Sequence, residues 1–118
     1  MGPHPFPAGL NDCYAGLEHI ANNKDELGIN KILITGESGG GNLSIATTMK
    51  QCAEGKKYAD ALFTMCPFIA GPKNYNERPA HIPSLTENVC IWLDVKMLAS
   101  MASGYLQNGE IEEETPLA

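Results

Sequence analysis

Positive charge is scarce in this chain: eight Lys and Arg stand against fourteen Asp and Glu, a net charge of −6. The cations are scattered and form no basic stripe, which argues against nucleic acid as a partner. Part of the acidity is local, with Glu110, Glu112, Glu113 and Glu114 reading as a solvated segment. Long hydrophobic runs are missing as well. No stretch approaches the ~20 apolar residues that span a bilayer, and Met1-Gly2-Pro3-His4-Pro5 lacks both the basic region and the apolar run of a signal peptide. A soluble, cytoplasmic chain with no membrane span is the expectation. Cysteines number four, Cys13, Cys52, Cys66 and Cys90, with no C-x-x-C and no histidine at metal-ligand spacing, so zinc is not expected. Three of the four fall in apolar-patterned segments, which predicts buried, reduced thiols in a reducing compartment. No metal or organic cofactor is implied.

What the chain does have is Ile32-Leu33-Ile34-Thr35-Gly36-Glu37-Ser38-Gly39-Gly40-Gly41-Asn42-Leu43. An apolar β-branched run meets a glycine-rich turn, and a helical pattern leaves it. Gly36, Ser38 and Gly40 complete G-x-S-x-G, the nucleophile elbow that exposes a serine hydroxyl at the end of a strand. The sharp reversal strains the backbone at the serine, and side chains at Gly36 and Gly40 are expected to collide with the neighbouring strand and helix. The helix that follows aims free N–H groups at the site, with the Gly39 N–H as the natural donor to a developing oxyanion. Glu37 reads as a solvated or structural carboxylate and Asn42 as a helix-turn residue. A phosphate-binding loop is the other class such glycines suggest, but Asn42-Leu43 stand where that loop needs Lys and Ser or Thr. A dinucleotide site is approached only by Gly39, Gly41 and Ser44, and the next strand ends in Cys66 instead of a ribose-binding acid.

Along the chain, residues 1–10 read as an extended, proline-rich lead-in. A helix is predicted from Asn11 or Asp12 to Asn23, a polar connection with a stop at Gly28 follows, and a strand runs over Lys31–Thr35. The unbroken Ile32-Leu33-Ile34 predicts a central strand covered on both faces. After the elbow, Leu43, Ala46, Met49 and Ala53, widened by Ile45 and Cys52, predict a well-buried helix ending near Gly55. A second buried strand is predicted at Ala61–Cys66, stopped by Pro67. Residues 11–66 thus form a helix, strand, elbow, helix, strand core, an α/β order with a parallel pair and a right-handed crossover. Residues 67–118 read as a long loop over Pro67–Pro83 and a helix from Val89 to about Leu106, closing near Asn108-Gly109, all within one domain, 1–118.

These motifs resemble the hormone-sensitive-lipase-like family of α/β-hydrolases, whose elbow typically reads G-D-S-A-G-G-N-L where this chain has Gly36-Glu37-Ser38-Gly39-Gly40-Gly41-Asn42-Leu43. Phe6-Pro7-Ala8-Gly9 with Asn11-Asp12 is similar to the family's entry to the helix before the nucleophile strand, and Asp25-Glu26-Leu27-Gly28 to its connection. Pro83-Ser84-Leu85-Thr86-Glu87-Asn88 and Thr115-Pro116-Leu117-Ala118 are similar to its cap-proximal region. The resemblance implies a partial α/β-hydrolase fold, parallel strands with crossover helices and a C-terminal helix. It implies an internal fragment of a serine carboxylesterase or lipase-like hydrolase, with Ser38 as nucleophile, Gly39 as one oxyanion donor and a small ester as substrate. The family's H-G-G-G motif and its acid and base are not found, so partners outside the chain are expected: the remainder of a parent chain, or a second copy joined through exposed sheet edges. Among local candidates, His4, His19 and His81 are the available imidazoles, Asp60 and Asp94 the candidate acids, and Trp92, Met97 and Met101 either an acyl pocket or plain packing. A non-catalytic fragment or pseudoenzyme that keeps the elbow as structure is the main alternative, a nucleotide-binding module the distant one.

Overall fold

Three apolar side chains at helical spacing, Leu10, Tyr14 and Leu17, close one face of the first helix, α1 (Ala8–Asn22). The computed structural model describes residues 4–69 and 93–106. Contacts divide them into two compact units, residues 7–69 and residues 4–6 with 93–106. Within the first unit α1 starts earlier than the lead-in over 1–10 allowed, since Ala8, Gly9 and Leu10 are already helical. Pro7 explains the difference. At a helix cap its missing N–H costs nothing, while its carbonyl accepts the first helical bond from Asn11 at 3.0 Å. Leu10, only 2% exposed, gives that extra turn its anchor. The connection contains one further helical turn, α2 (Lys24–Leu27), and stops at Gly28 as expected, with φ of 67° in the left-handed region.

Strand β1 runs over Leu33–Glu37, two residues beyond the predicted span. Asp60 is the reason. Its backbone N–H donates to the Ile32 carbonyl at 2.9 Å and its carboxylate accepts from the Ile32 N–H at 2.9 Å, so Ile32 is tied to Asp60 and the strand begins at Leu33, two residues after the predicted start. Helix α3 (Gly39–Ala53) follows, ending just before Gly55 at φ 66°. Strand β2 (Ala61–Met65) then pairs parallel with β1 in the register Leu33 to Ala61 through Glu37 to Met65. The α/β order and the parallel pair are therefore as expected. Helix α3 packs on both strands and α1 packs on α3.

The predicted covering of both sheet faces is corrected. Leu33, Phe63 and Met65 are 60%, 59% and 50% exposed, so only the face carrying Ile34, Gly36 and Thr64 is covered among the described residues. The apolar core of the unit is small: Leu17, Ile32 and Ala59, with Ala21, Ile29, Ile34 and Tyr58 packed around them. Helix α3 buries Ala46 of the predicted stripe, but the rest of its buried face is not the one its hydropathy pattern picks out. Gly41, Ser44, Ala46, Thr47 and Gln51 are inside, whereas Met49, Cys52 and Ala53 are exposed. Small residues let the helix lie close to the sheet, and the polar ones are largely satisfied locally: Ser44 Oγ donates to the Gly40 carbonyl at 2.7 Å, and Gln51 Oε1 accepts the Tyr58 and Ala59 N–H groups at 3.0 and 2.9 Å. The cysteine expectation is corrected too. Cys13, Cys52 and Cys66 are free and exposed: Cys13 and Cys52 fall beside the buried stripes of α1 and α3, Cys66 follows a strand that is itself largely exposed, and Cys90 lies outside the described residues.

In the second unit, helix α4 (Val95–Leu106) buries Ala99 and Ala102. Asp94 caps it, its Oδ1 accepting the Met97 N–H at 2.7 Å. Phe6 docks on it, with its N–H donating to the Tyr105 carbonyl at 2.9 Å and the two rings meeting edge to face at 5.7 Å. The predicted helix start at Val89, most of the long loop and the close at Asn108-Gly109 lie outside the described residues. None of the described helices is long and apolar enough to cross a membrane.

Candidate active site

At the carboxyl end of β1 the chain reverses within one residue. Ser38, at φ 53° and ψ −118°, stands between the last strand residue, Glu37, and the first residue of α3, Gly39. Such angles cost a residue with a side chain on the order of 1–3 kcal/mol, and Ser38 and Cys66 are the two non-glycine residues with positive φ among the described ones. The strain is held by the main chain. The Ser38 N–H donates to the Met65 carbonyl at 3.1 Å, and the Ser38 carbonyl accepts from Asn42 N–H at 3.1 Å and from Phe68 N–H at 2.9 Å. The side chain of Ser38 is exposed. Gly39 opens the helix, where a backbone N–H has no acceptor within the helix itself.

The glycines divide into two kinds. A Cβ on Gly36 would run into the Gly40 carbonyl and come within 2.6 Å of Ser44 Oγ, so the strand must be bare there. A Cβ on Gly40 would meet nothing within 4 Å. The predicted steric need at Gly40 is therefore corrected: the second bare position is Gly41, whose Cβ would lie 2.9 Å from both Cα and Cβ of Pro67. Hydropathy and motif spacing missed Gly41 and Pro67 because their contact joins segments far apart in sequence. The run of three glycines and a proline directly after a strand were the available signals.

Within the first unit, the side chains of the other described candidates, Glu37, His19 and Asp60, make their contacts elsewhere. Glu37 is exposed, with its Oε1 4.0 Å from Cys66 Sγ, in keeping with a solvated carboxylate. Asn42 acts here through its main-chain N–H. His19 is exposed on α1, its Nδ1 3.4 Å from Asn23 Nδ2. His4 belongs to the second unit, where it lines an open groove with Met97, Met101 and Tyr105. His81 and Trp92 lie outside the described residues. Asp94 is occupied as the α4 cap. Asp60 sits at the amino end of β2, about 17 Å of strand away from the elbow, tied to Lys31 Nζ at 3.1 Å and to the Ile32 N–H at 2.9 Å. Those bonds, the Ile32 N–H foremost and Lys31 next, hold its carboxyl below the usual value, so it is a structural anion. No group of three or more His, Cys, Asp or Glu that could hold a metal occurs among the described residues.

Other displaced titrations gather at that same amino end. Tyr14 OH donates to Glu54 Oε2 at 2.5 Å and Tyr58 OH to Glu18 Oε1 at 2.7 Å. Burial, then Glu54, pushes the Tyr14 phenol up. The bond to Glu18, then burial, does the same for Tyr58. Glu54 is drawn down by the Tyr14 hydroxyl and by Lys50, whose Nζ lies 3.1 Å from Glu54 Oε1 and 5.0 Å from the Tyr14 ring centre.

A family model for the alpha/beta hydrolase fold matches residues 3–118. The carboxylesterase NlhH of Mycobacterium tuberculosis is 29% identical over 117 residues, 97% of this chain and 34% of its own length. The esterase LipI of the same organism is 30% identical over 118 residues, 98% of this chain and 34% of its length. Among solved structures, brefeldin A esterase, described as a bacterial homologue of human hormone-sensitive lipase, superposes with a TM-score of 0.86 at 33% identity, covering 99% of this chain and 33% of that one. The chain spans about a third of the length of the curated relatives it matches. The resemblance carried by the elbow residues, and the α/β fold it implied, are borne out.

Proposed function

The chain belongs to the alpha/beta hydrolase fold family, and from that premise we propose that it carries the nucleophile segment of a serine carboxylesterase or lipase-like hydrolase. Ser38 Oγ attacks the carbonyl carbon of a small carboxylic ester, and the carbonyl oxygen becomes an oxyanion that accepts a hydrogen bond from the Gly39 N–H. Collapse of that adduct expels the alcohol and leaves an acyl group on Ser38, which water then releases as the acid. A histidine and a carboxylate from outside these 118 residues move the protons. The observation that supports this best is the strained, exposed Ser38 between a parallel strand and a helix N-terminus. The esterase names of the relatives point the same way.

Two measurements test it. A fluorophosphonate probe should label Ser38 and no other residue wherever a competent base is supplied; a label that persists in Ser38→Ala removes Ser38 from the role. With the base elsewhere, the 118 residues alone should turn over a short-chain nitrophenyl ester several orders of magnitude below a complete enzyme. Robust turnover that Ser38→Ala abolishes would overturn the placement of acid and base outside the chain. The open face with Leu33, Phe63 and Met65 and the edges of a sheet that is two-stranded among the described residues support association with the rest of a parent chain or with a second copy. A clean monomer by sedimentation at high concentration counts against self-association.

A further inference from the structure

We infer that the turn leaving β2, Cys66-Pro67-Phe68, is the positioning element of the elbow, and that Gly41 is bare so that this turn can seat. Its functional meaning rests on the reading of Ser38 as nucleophile. Both main-chain polar groups of Ser38 are engaged at the two ends of this turn: its N–H by the carbonyl of Met65, the β2 residue just before it, at 3.1 Å, and its carbonyl by the Phe68 N–H at 2.9 Å. The two bonds bracket the residue from one side, while the Asn42 N–H holds the same carbonyl from the helix side at 3.1 Å. Closing such a bracket with two intervening residues demands a tight reversal, and Cys66 supplies it at φ 34°. Pro67 then fixes its own φ and offers no N–H to prolong the ladder. It rests on the first turn of α3, against the space that a Cβ at Gly41 would fill.

The bracket has a directional consequence. A serine at φ 53° relaxes toward negative φ once its restraints loosen, and that rotation swings the Cα–Cβ bond and the following N–H together. The nucleophile and its oxyanion donor would be lost in one motion. Cys66, Pro67 and Phe68 therefore act on the reaction through Ser38, without touching the substrate.

The test reads the main chain of Ser38. In Pro67→Gly, exchange of the Ser38 and Phe68 amide hydrogens should accelerate about tenfold relative to those of Tyr14 and Leu17 in α1, and the three-bond HN–Hα coupling of Ser38, which reports φ, should move from the wild-type value. Gly41→Ala should do the same by displacing Pro67, whereas Gly16→Ala, a position with nothing within 4 Å, should leave both readouts in place. If Gly41→Ala does not fold, Pro67→Gly decides alone, since it adds no heavy atom to the packed turn. Unchanged Ser38 coupling with protection lost evenly across the first unit would overturn the inference, because that is what a turn of general structural value would give. Loss of the Ser38 role in the labelling experiment would leave these amide readouts intact, so the two readings fail separately.

Discussion

The two ends of the β1–β2 pair are built from different forces. At the carboxyl end, Ser38 is held by three main-chain hydrogen bonds, and close approach is secured by side chains that are absent, at Gly36 and Gly41. At the amino end the work falls to side chains: Asp60 with Ile32, Lys31 and Lys24, Gln51 under Tyr58 and Ala59, and the two tyrosine–glutamate pairs. Main-chain bonds do not titrate near neutrality, and carboxylates do so only in acid. Ser38, held by backbone alone, keeps those bonds while carboxylates titrate, and the displaced titrations among the described residues lie at the opposite end.

The largest way to break this division is Gly36→Ala. Its methyl would meet the Gly40 carbonyl, which is backbone and cannot swing aside, so a loss of about 3 kcal/mol or more is expected in chemical denaturation. That loss should be the same at pH 4 and pH 7. Next comes Gln51→Ala, which leaves the Tyr58 and Ala59 amides without their acceptor and should cost about 2 kcal/mol while leaving the elbow amides as protected as before. The smallest effect, and the one that sharpens the comparison, is Asp60→Asn. The folded Asp60 carboxyl titrates below its ordinary value. Its stabilisation is therefore complete above the ordinary carboxylate range and is lost as pH falls toward the lowered folded value. The variant should be less stable than wild type at neutral pH and converge with it in acid. A stability difference that persists unchanged at pH 2 would mean the latch does not act through charge.

How far the sequence could carry this depends on which kind of force holds each part. The elbow was legible because a serine between an apolar run and a helical pattern, preceded by a glycine that the packing requires at Gly36, encodes a backbone reversal directly. The stop at Gly28 was legible for the same reason. The start of α1 was not, since Pro7 breaks a helix only when it lies inside one. The buried face of α3 was not, because Gly41, Ser44, Thr47 and Gln51 score as surface on any hydropathy scale; close packing of small residues, with polar ones capped locally, looks polar in one dimension. The exposure of Leu33 and Phe63 was hidden for the opposite reason, apolar residues that the described unit does not cover. The seat of Pro67 on Gly41 was invisible because it exists only after β1 and β2 have paired.

That pairing also has a kinetic consequence. In a hairpin the first rung closes a short loop and later rungs close longer ones, so the ladder zips from the turn. Here every rung from Leu33–Ala61 to Glu37–Met65 joins residues the same 28 positions apart, so no rung is an easy first one. Closing a flexible loop of that length costs about 3 kcal/mol, incurred with the first contact and not again. A formed helix α3 spans 15 of those positions at about 1.5 Å per residue, which shortens the gap the strands have to close. The ladder's terminal rung is the one beside Ser38, so the strained geometry of that serine depends on the ladder being closed at its carboxyl end, where Met65 and Phe68 supply two of its three main-chain bonds.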